Sequence, residues 1–284
     1  MSSFQARRGR TPPDDSRPAV SVLLPTRNGE TRIAAAIQSV LDQTYRNLEL
    51  VVVDDASTDR TATLLDSLAA RDPRLRVIGL DAPAGLQRAL NTGLTNARGS
   101  LIARIDDDDL WIKREKLATQ IAMIQSRESL QLLGTGCEMY DPESGVRFVR
   151  EQPTGDHDIR RILLSWNPFV HSSVMFYRNA ALACGGYSES CRHVEDYDLW
   201  LRLGLRGELA NLPDVCVRYR ISPRVGPWSQ RRRTWWEQLQ LVRRYHRSYP
   251  GVGRALASSA ARLCVQFLPV GRTGRTWLRS VRRR

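Results

Sequence analysis

The sequence predicts an α/β protein in which a mostly parallel sheet is flanked by helices and followed by a basic, helical C-terminal extension. Three observations carry this expectation. Short β-branched runs alternate with segments of helical apolar spacing through the first half of the chain. Two of those runs end in carboxylates, Asp54-Asp55 and Asp106 to Asp109, where open α/β sheets gather ligands. The composition, 42% apolar and 26% charged over 284 residues, is that of a folded chain long enough to bury one large core.

Taken in order, Val20 to Leu24 reads as the first strand and Glu30 to Leu41 as the helix behind it. Leu48 to Val53 is a second strand, and Arg60 to Ala70 a helix capped by Ser57 or Asp59. Leu75 to Leu80, Leu86 to Ala97 and Leu101 to Ile105 continue the alternation, with Gly99 just past the third helix. A helix from Arg114 to Ser126 follows the acidic run, after which the pattern loosens. Short strands are expected at Leu132 to Glu138, Val146 to Arg150, Ser172 to Phe176 and Val215 to Tyr219. Helices are expected at Ile159 to Ser165, Asn179 to Cys184 and Tyr197 to Leu205. Residues 1 to 18, rich in Pro, Arg and Asp, are expected to be disordered, and the chain beyond Gly226 mostly helical.

Charge is distributed unevenly. The net charge is +13, yet Arg220 to Arg284 alone carries +15, from 16 arginines and the single acid Glu237. Four of the seven tryptophans, Trp228, Trp235, Trp236 and Trp277, lie in the same stretch. Arginine beside aromatic rings suits an anionic membrane surface, whereas a solvated helical hairpin packing its tryptophans on the body is the plainer alternative. No RRM, KH or zinc-finger pattern is visible, so nucleic acid is not an expected partner. Five scattered cysteines without CxxC spacing indicate neither a disulfide framework nor a zinc site. Arg7, Arg8 and Arg10 run into Thr11-Pro12-Pro13 rather than an apolar stretch, so no signal peptide is expected, and no run has the length of a membrane span. The expected location is cytoplasmic, on the inner face of the cell membrane.

The acidic runs narrow the chemistry. Four adjacent aspartates repel one another strongly enough that a bound cation or cationic partner is the economical explanation. The first strand leads into Pro25-Thr26-Arg27-Asn28-Gly29-Glu30, which lacks G-x-G-x-x-G, and no G-x-x-x-x-G-K-[ST] occurs. Neither hydride transfer nor a P-loop mechanism is supported, so a metal must replace the missing cradle of backbone N–H groups if phosphates bind. Asp106 and Asp108, two apart, share one face if the strand persists, with Asp107 pointing away.

Six ordered blocks together resemble family 2 of the glycosyltransferases. They are Pro25-Thr26-Arg27-Asn28, Ser39-Val40-Leu41-Asp42-Gln43-Thr44-Tyr45, Val53-Asp54-Asp55-Ala56-Ser57-Thr58-Asp59, Asn91-Thr92-Gly93-Leu94 with Ala97-Arg98-Gly99, the acidic run, and Glu195-Asp196-Tyr197-Asp198-Leu199-Trp200. The resemblance spans about residues 20 to 222 and implies a GT-A type, Rossmann-like fold that transfers a sugar with inversion from a nucleoside diphosphate sugar. It implies a domain over 19–225, with a nucleotide-sugar-binding half at 19–110 and an acceptor half at 111–225, ahead of the basic extension at 226–284.

By the same resemblance Pro25, Thr26 and Arg27 form the base-side wall, and Asp55, with Asp54 as alternative, faces a base N–H. A carboxylate there discriminates because a wrong base leaves it unpaired; the same residues also make a capped helix start. Asp106 and Asp108 take the DxD role, one towards ribose or a metal-bound water, the other on a Mn²⁺ or Mg²⁺ bridging the diphosphate. Asp107 has no assigned task. Asp196 is the general base for the acceptor hydroxyl, with Glu195 beside it, and a dipole-favoured first-turn acid is the alternative reading. His171 falls near the donor sugar or is structural, Arg88 and Arg98 are phosphate or base contacts or solvated surface, and Gly185-Gly186-Tyr187 looks like a flexible acceptor loop.

Gln230, Arg233 and Trp235 miss the Q-x-x-R-W spacing of processive synthases by one residue, which favours single-sugar transfer to a glycan or lipid-linked glycan. A UDP-sugar is the favoured donor. Nucleotidyl transfer and a non-catalytic membrane or polyanion adaptor are the competing classes, and the sugar, base, acceptor linkage and oligomeric state stay open.

Overall fold

The computed structural model describes residues 18–221 and 228–267. The expected disorder of residues 1 to 18 lies, but for Pro18, outside the described residues, as do the expectations for Trp277 and the last arginines.

The first half builds as its pattern dictates. Strands β1 (Val20–Thr26), β2 (Leu48–Asp54), β3 (Leu75–Gly79) and β4 (Leu101–Arg104) pair in parallel in the order β3-β2-β1-β4. Their side chains alternate between two cores, Leu23, Val51 and Val53 facing one and Val22, Leu24, Leu50 and Val52 the other, as in a sheet covered on both faces. Helices α1 (Ile33–Leu41), α2 (Thr61–Ala69) and α3 (Leu86–Asn96) supply that cover. In α1 the buried residues Ile33, Ala36, Ile37 and Val40 recur at helical spacing. The helix starts at Ile33 rather than Glu30, because the Gly29 carbonyl already accepts the N–H groups of Arg32 and Ile33 in a tight turn. Asp59, not Ser57, accepts the Thr61 N–H at the start of α2, and Ser57 turns back to Asp54.

The second half is less regular. Strand β5 (Leu110–Trp111) pairs with the end of β9 (Glu208–Arg220); two residues carry no readable period, and the sequence gives no sign of it. β9 runs far beyond the expected Val215 to Tyr219, its register on β6 (Leu130–Tyr140) shifting near Pro213, where a ladder N–H is missing. β7 (Arg147–Arg150) pairs antiparallel with β6. The strand expected from Ser172 is a 3-10 turn at His171–Ser173 followed by β8 (Met175–Tyr177), since Ser172 is recruited by the acidic turn. Helices α4 (Lys116–Ser126), α5 (Asp156–Ile162), α6 (Arg178–Ala183) and α7 (Glu195–Gly204) fall within a few residues of their expected bounds. The sheet order is β3-β2-β1-β4-β8-β6-β9-β5, with β7 on β6.

After β3 the chain crosses back to place β4 on the other side of β1. That reversal makes a crevice outside the carboxyl ends of β1 and β4, where such sheets bind ligands.

The basic extension forms α8 (Trp228–Tyr245) and α9 (Val252–Phe267). Leu241, Val242, Tyr245, Tyr249 and Ala255 are buried in the same cluster as Leu199, Trp200 and Leu203 of α7. Asp198 of α7 pairs with Arg202 at 2.7 Å and with Arg244 of α8 at 3.3 Å. Glu237 accepts the His193 backbone N–H at 2.8 Å. Trp235 donates its indole N–H to the Ser259 carbonyl at 3.1 Å, whereas Trp236 is 50% exposed. No helix among the described residues is long and apolar enough to cross a membrane.

Candidate active site

A cavity of about 680 Å³ opens at the switch point, with Asp106, Asp108, His171, Glu195, Asp196 and Arg220 among its lining residues. Asp106, Asp108, His171, Glu195 and Asp196, five residues singled out along the sequence, are thus brought to one space. Pro25, Thr26, Asp54 and Asp55 stand at the neighbouring ends of β1 and β2, where Thr26 is in register with Asp54. Arg27 is exposed beside them. Arg88 is not brought in: it is 64% exposed on α3 and pairs with Glu189.

β4 ends at Arg104, so the four aspartates form a turn rather than an extended strand. Each has a different environment. Arg104, wholly buried, donates to Asp106 at 2.6 Å, and the Ser172 hydroxyl donates to the other Asp106 oxygen at 3.2 Å. Burial opposes ionisation of Asp106, but the Arg104 charge and the hydrogen bonds from Arg104 and Ser172 hold its carboxyl below the usual range. Asp107 turns away from the cavity, accepting from Thr26 Oγ1 at 2.6 Å and pairing with Arg32 at 3.4 Å. Asp109 is buried under the turn, bonded to the Ser172 hydroxyl and to the Arg220 N–H; burial and the nearby Asp106 push its carboxyl up to about 8. Asp108 accepts no hydrogen bond among the described residues and is raised by burial and by the charges of Asp106 and Asp107.

The opposite acids come from α7. Its first turn carries Glu195, Asp196 and Asp198 at the positive end of the dipole, and Tyr197, Leu199, Trp200, Leu201 and Leu203 anchor it in the core. Asp196 accepts from Asn167 Nδ2 at 2.9 Å and from the Tyr197 N–H at 2.6 Å. Burial, with the charge of Asp106, pushes its carboxyl up to about 6. Burial and Asp196 push Glu195 up to about 8, and Gln87 donates to it at 3.3 Å. Burial and neighbouring carboxylates thus raise both carboxyls of this pair above the usual range.

His171 is buried against Trp200, its Nε2 3.0 Å from the Tyr187 hydroxyl. Burial and the Arg104 charge hold it well below the usual imidazole range, so it is neutral. Both Asp55 oxygens accept backbone N–H groups, of Ala84 at 2.6 Å and Gly85 at 3.0 Å, tying β2 to the β3–α3 loop. Asp54 accepts the Ser57 N–H at 3.1 Å. Gly185-Gly186-Tyr187, expected as a flexible loop, is fastened: Asn91 bonds both the N–H and the carbonyl of Tyr187 at 2.8 Å, and a Cβ on Gly186 would lie 2.5 Å from Asn91 Oδ1.

Sequence reasoning passed over Arg104, Asn167 and Arg220. Arg104 had a signal, a lone cation inside an apolar strand just before the acids. Asn167 and Arg220 had none, since their roles depend on tertiary placement.

A family model described as Glycosyl transferase family 2 matches residues 21–186. EpsE of Bacillus subtilis (strain 168) is 37% identical over 212 residues, 72% of this chain and 74% of EpsE. The Escherichia coli UDP-Glc:alpha-D-GlcNAc-diphosphoundecaprenol beta-1,3-glucosyltransferase WfgD is 31% identical over 216 residues, 72% of this chain and 77% of WfgD. Among solved structures, mannosyltransferase PcManGT from Pyrobaculum calidifontis, in complex with GDP-Man and Mn²⁺, matches with a TM-score of 0.65 and 22% identity over 93% of this chain and 79% of that one. The S. aureus TarS 1-349 structure matches 71% of this chain with a TM-score of 0.60 and 22% identity, and this chain spans 60% of its length. The fold is of the GT-A glycosyltransferase type. The chain belongs to glycosyltransferase family 2 and is a glycosyltransferase.

Proposed function

We propose that this enzyme is a metal-dependent, inverting transferase that moves one sugar from a UDP-sugar to a hydroxyl of a lipid-linked glycan, in bacterial cell-surface polysaccharide synthesis at the cytoplasmic membrane face. The observation that carries the reading is the opening of Asp196, ionised near neutrality, and Asp108, free of hydrogen bonds among the described residues, into one cavity. The name of WfgD supports the UDP-sugar and the lipid-diphosphate acceptor.

The residues fit a divalent ion. No three His, Cys, Asp or Glu gather as a cage among the described residues. Mg²⁺ needs no such cage, since it is usually held by one or two carboxylates together with substrate phosphates and water. Asp108 would hold the ion, and Asp106, already engaged by Arg104 and Ser172, is the better acceptor for ribose or a metal-bound water. When bound, the ion neutralises charge on the leaving diphosphate. Asp54, Asp55, Pro25, Thr26 and Arg27 seat the base, the Asp55 oxygens keeping a second lone pair each beside their backbone bonds. Asp196, oriented by Asn167, takes the proton of the attacking hydroxyl, with Glu195 beside it. Exposed Trp236, Arg233 and Arg243 of α8 support attachment to an anionic membrane.

Incubation with UDP-[¹³C]glucose, Mn²⁺ and a GlcNAc-diphospho-lipid tests the reading by NMR. A β-linked product with release of UDP is expected. Release of UMP, or an α-linked product, would contradict it.

A further inference from the structure

A second cavity, of about 280 Å³, adjoins the first, and the transfer chemistry above does not use it. Arg32, Tyr140, Arg147, Arg218 and Arg220 line it, and Asp108 and Arg220 border both spaces. Strand alternation explains the cluster. Tyr140 is opposite Arg147 of β7 and Arg220 of β9, and Glu138 is opposite Arg218. Opposed residues of neighbouring strands share a face, so the arginines gather on one side of this ribbon. Met139, Arg150 and Tyr219, of the other parity, line the first cavity.

Two of the four cations are already satisfied. Arg32 pairs with Asp107 at 3.4 Å and Arg218 with Glu138 at 2.5 Å. Arg147 lies over the Tyr140 ring, 4.9 Å from its centroid, and neither Arg147 nor Arg220 has an ion-pair partner among the described residues. Asp108 and Asp109 also line this space and the Arg220 charge bears on Asp108, so Arg147 offers the freer guanidinium fork for a diphosphate, with Arg220 beside it. On the same face β7 exposes Val149 at 55%, opposite Glu138, an apolar side chain on Arg147's side of the ribbon.

We propose that this second cavity binds the diphosphate of the lipid-linked acceptor through Arg147 and Arg220, with the first isoprene unit resting on Val149. The inference rests on the lipid-linked reading above and adds the site that recognises the carrier. The acceptor sugar then reaches Asp196 across the border the two cavities share, while the donor diphosphate occupies the other side of Asp108.

Calorimetric titration of the full chain, saturated with UDP and with Mn²⁺ matched in cell and syringe, tests it with geranyl diphosphate, inorganic pyrophosphate and geraniol as probes. Geranyl diphosphate is expected to bind at least about tenfold more tightly than either other probe, consistent with one charge-assisted fork plus a few buried methylenes. Arg147→Gln is expected to remove about tenfold of that affinity, and Arg147→Lys to restore part of it. Equal affinity in the wild type and Arg147→Gln, or no binding of geranyl diphosphate, would overturn the proposal. Pyrophosphate binding as tightly as geranyl diphosphate would also overturn it, assigning the cavity to free phosphate. Absence of UDP binding would instead overturn the reading of the first cavity, and the geranyl diphosphate titration is read independently of it.

Discussion

Thr26 Oγ1 donates a 2.6 Å hydrogen bond to Asp107 Oδ2, fastening the carboxyl end of β1 to the acidic turn after β4. Arg32 grips the same carboxylate from the start of α1. Asp107 thereby sets the distance between the end of β1, the proposed base-side wall, and the aspartates proposed to face the donor phosphates. The arrangement leaves no room at Gly29, where a Cβ would lie 2.4 Å from Thr26 Oγ1 and 2.8 Å from Asp107 Oδ2.

Asp107→Ala should therefore raise the donor KM about tenfold or more, the loss of a charge-assisted hydrogen bond that positions a loop. Gly29→Ala should act on the same quantity and lower stability by about 1–3 kcal/mol through overpacking. Steady-state kinetics and urea unfolding read the two effects. An unchanged donor KM in both variants would show that the strut does not position the donor.

Arg104→Met should destabilise the fold by about 2–4 kcal/mol, because it strips a half-buried Asp106 of its cationic partner. Arg104→Lys should recover part of the loss. Chemical denaturation of the three proteins gives the ordering, and a Met variant as stable as the wild type would contradict the role.

Transfer should lose activity as pH falls through about 6, where the Asp196 carboxylate takes up its proton and can no longer act as base. Asp196→Asn should reduce kcat by roughly 10²–10⁴-fold and abolish that limb. A profile whose acid limb lies near 4 would indicate a base with an ordinary carboxylate pKa.

Lys116 is wholly buried, its Nζ 2.7 Å from Gln120 Oε1 and 3.9 Å from the centroid of the Trp111 ring. Burial brings it down to about 7, so between about pH 7 and its unfolded value near 10.4 the unfolded chain binds the extra proton. Its contribution to stability thus rises with pH across that window. The difference in unfolding free energy between wild type and Lys116→Met, followed from pH 6.5 to 9.5, should move in favour of the wild type, and a flat difference would contradict the shift.

The legible parts of this molecule are those set by local pattern. The β-branched runs ending at Thr26, Asp54 and Arg104 and the amphipathic α1 were readable, because period and composition act over a few residues. So was the meeting of Asp106, Asp108 and Asp196, which the ordered blocks imply and the cavity shows. The turn at Asp106 to Asp109 was not readable: it depends on Ser172, Arg104 and the Arg220 N–H, residues far apart in sequence or hidden in a strand. Asp55 was placed at the site, yet its bonds to Ala84 and Gly85 follow from a loop conformation no spacing encodes. Strand β5 was missed for want of length, and Asp107 lacked a role until Thr26 and Arg32 were seen beside it.

Calorimetry of UDP-glucose binding, with and without Mn²⁺, in wild type, Asp108→Asn and Asp196→Asn tests most directly whether one cavity holds the donor through Asp108 and the base on Asp196. Mn²⁺ should tighten binding in the wild type and in Asp196→Asn alike and do little in Asp108→Asn. Mn²⁺ enhancement that survives in Asp108→Asn and disappears in Asp196→Asn would contradict both assignments at once.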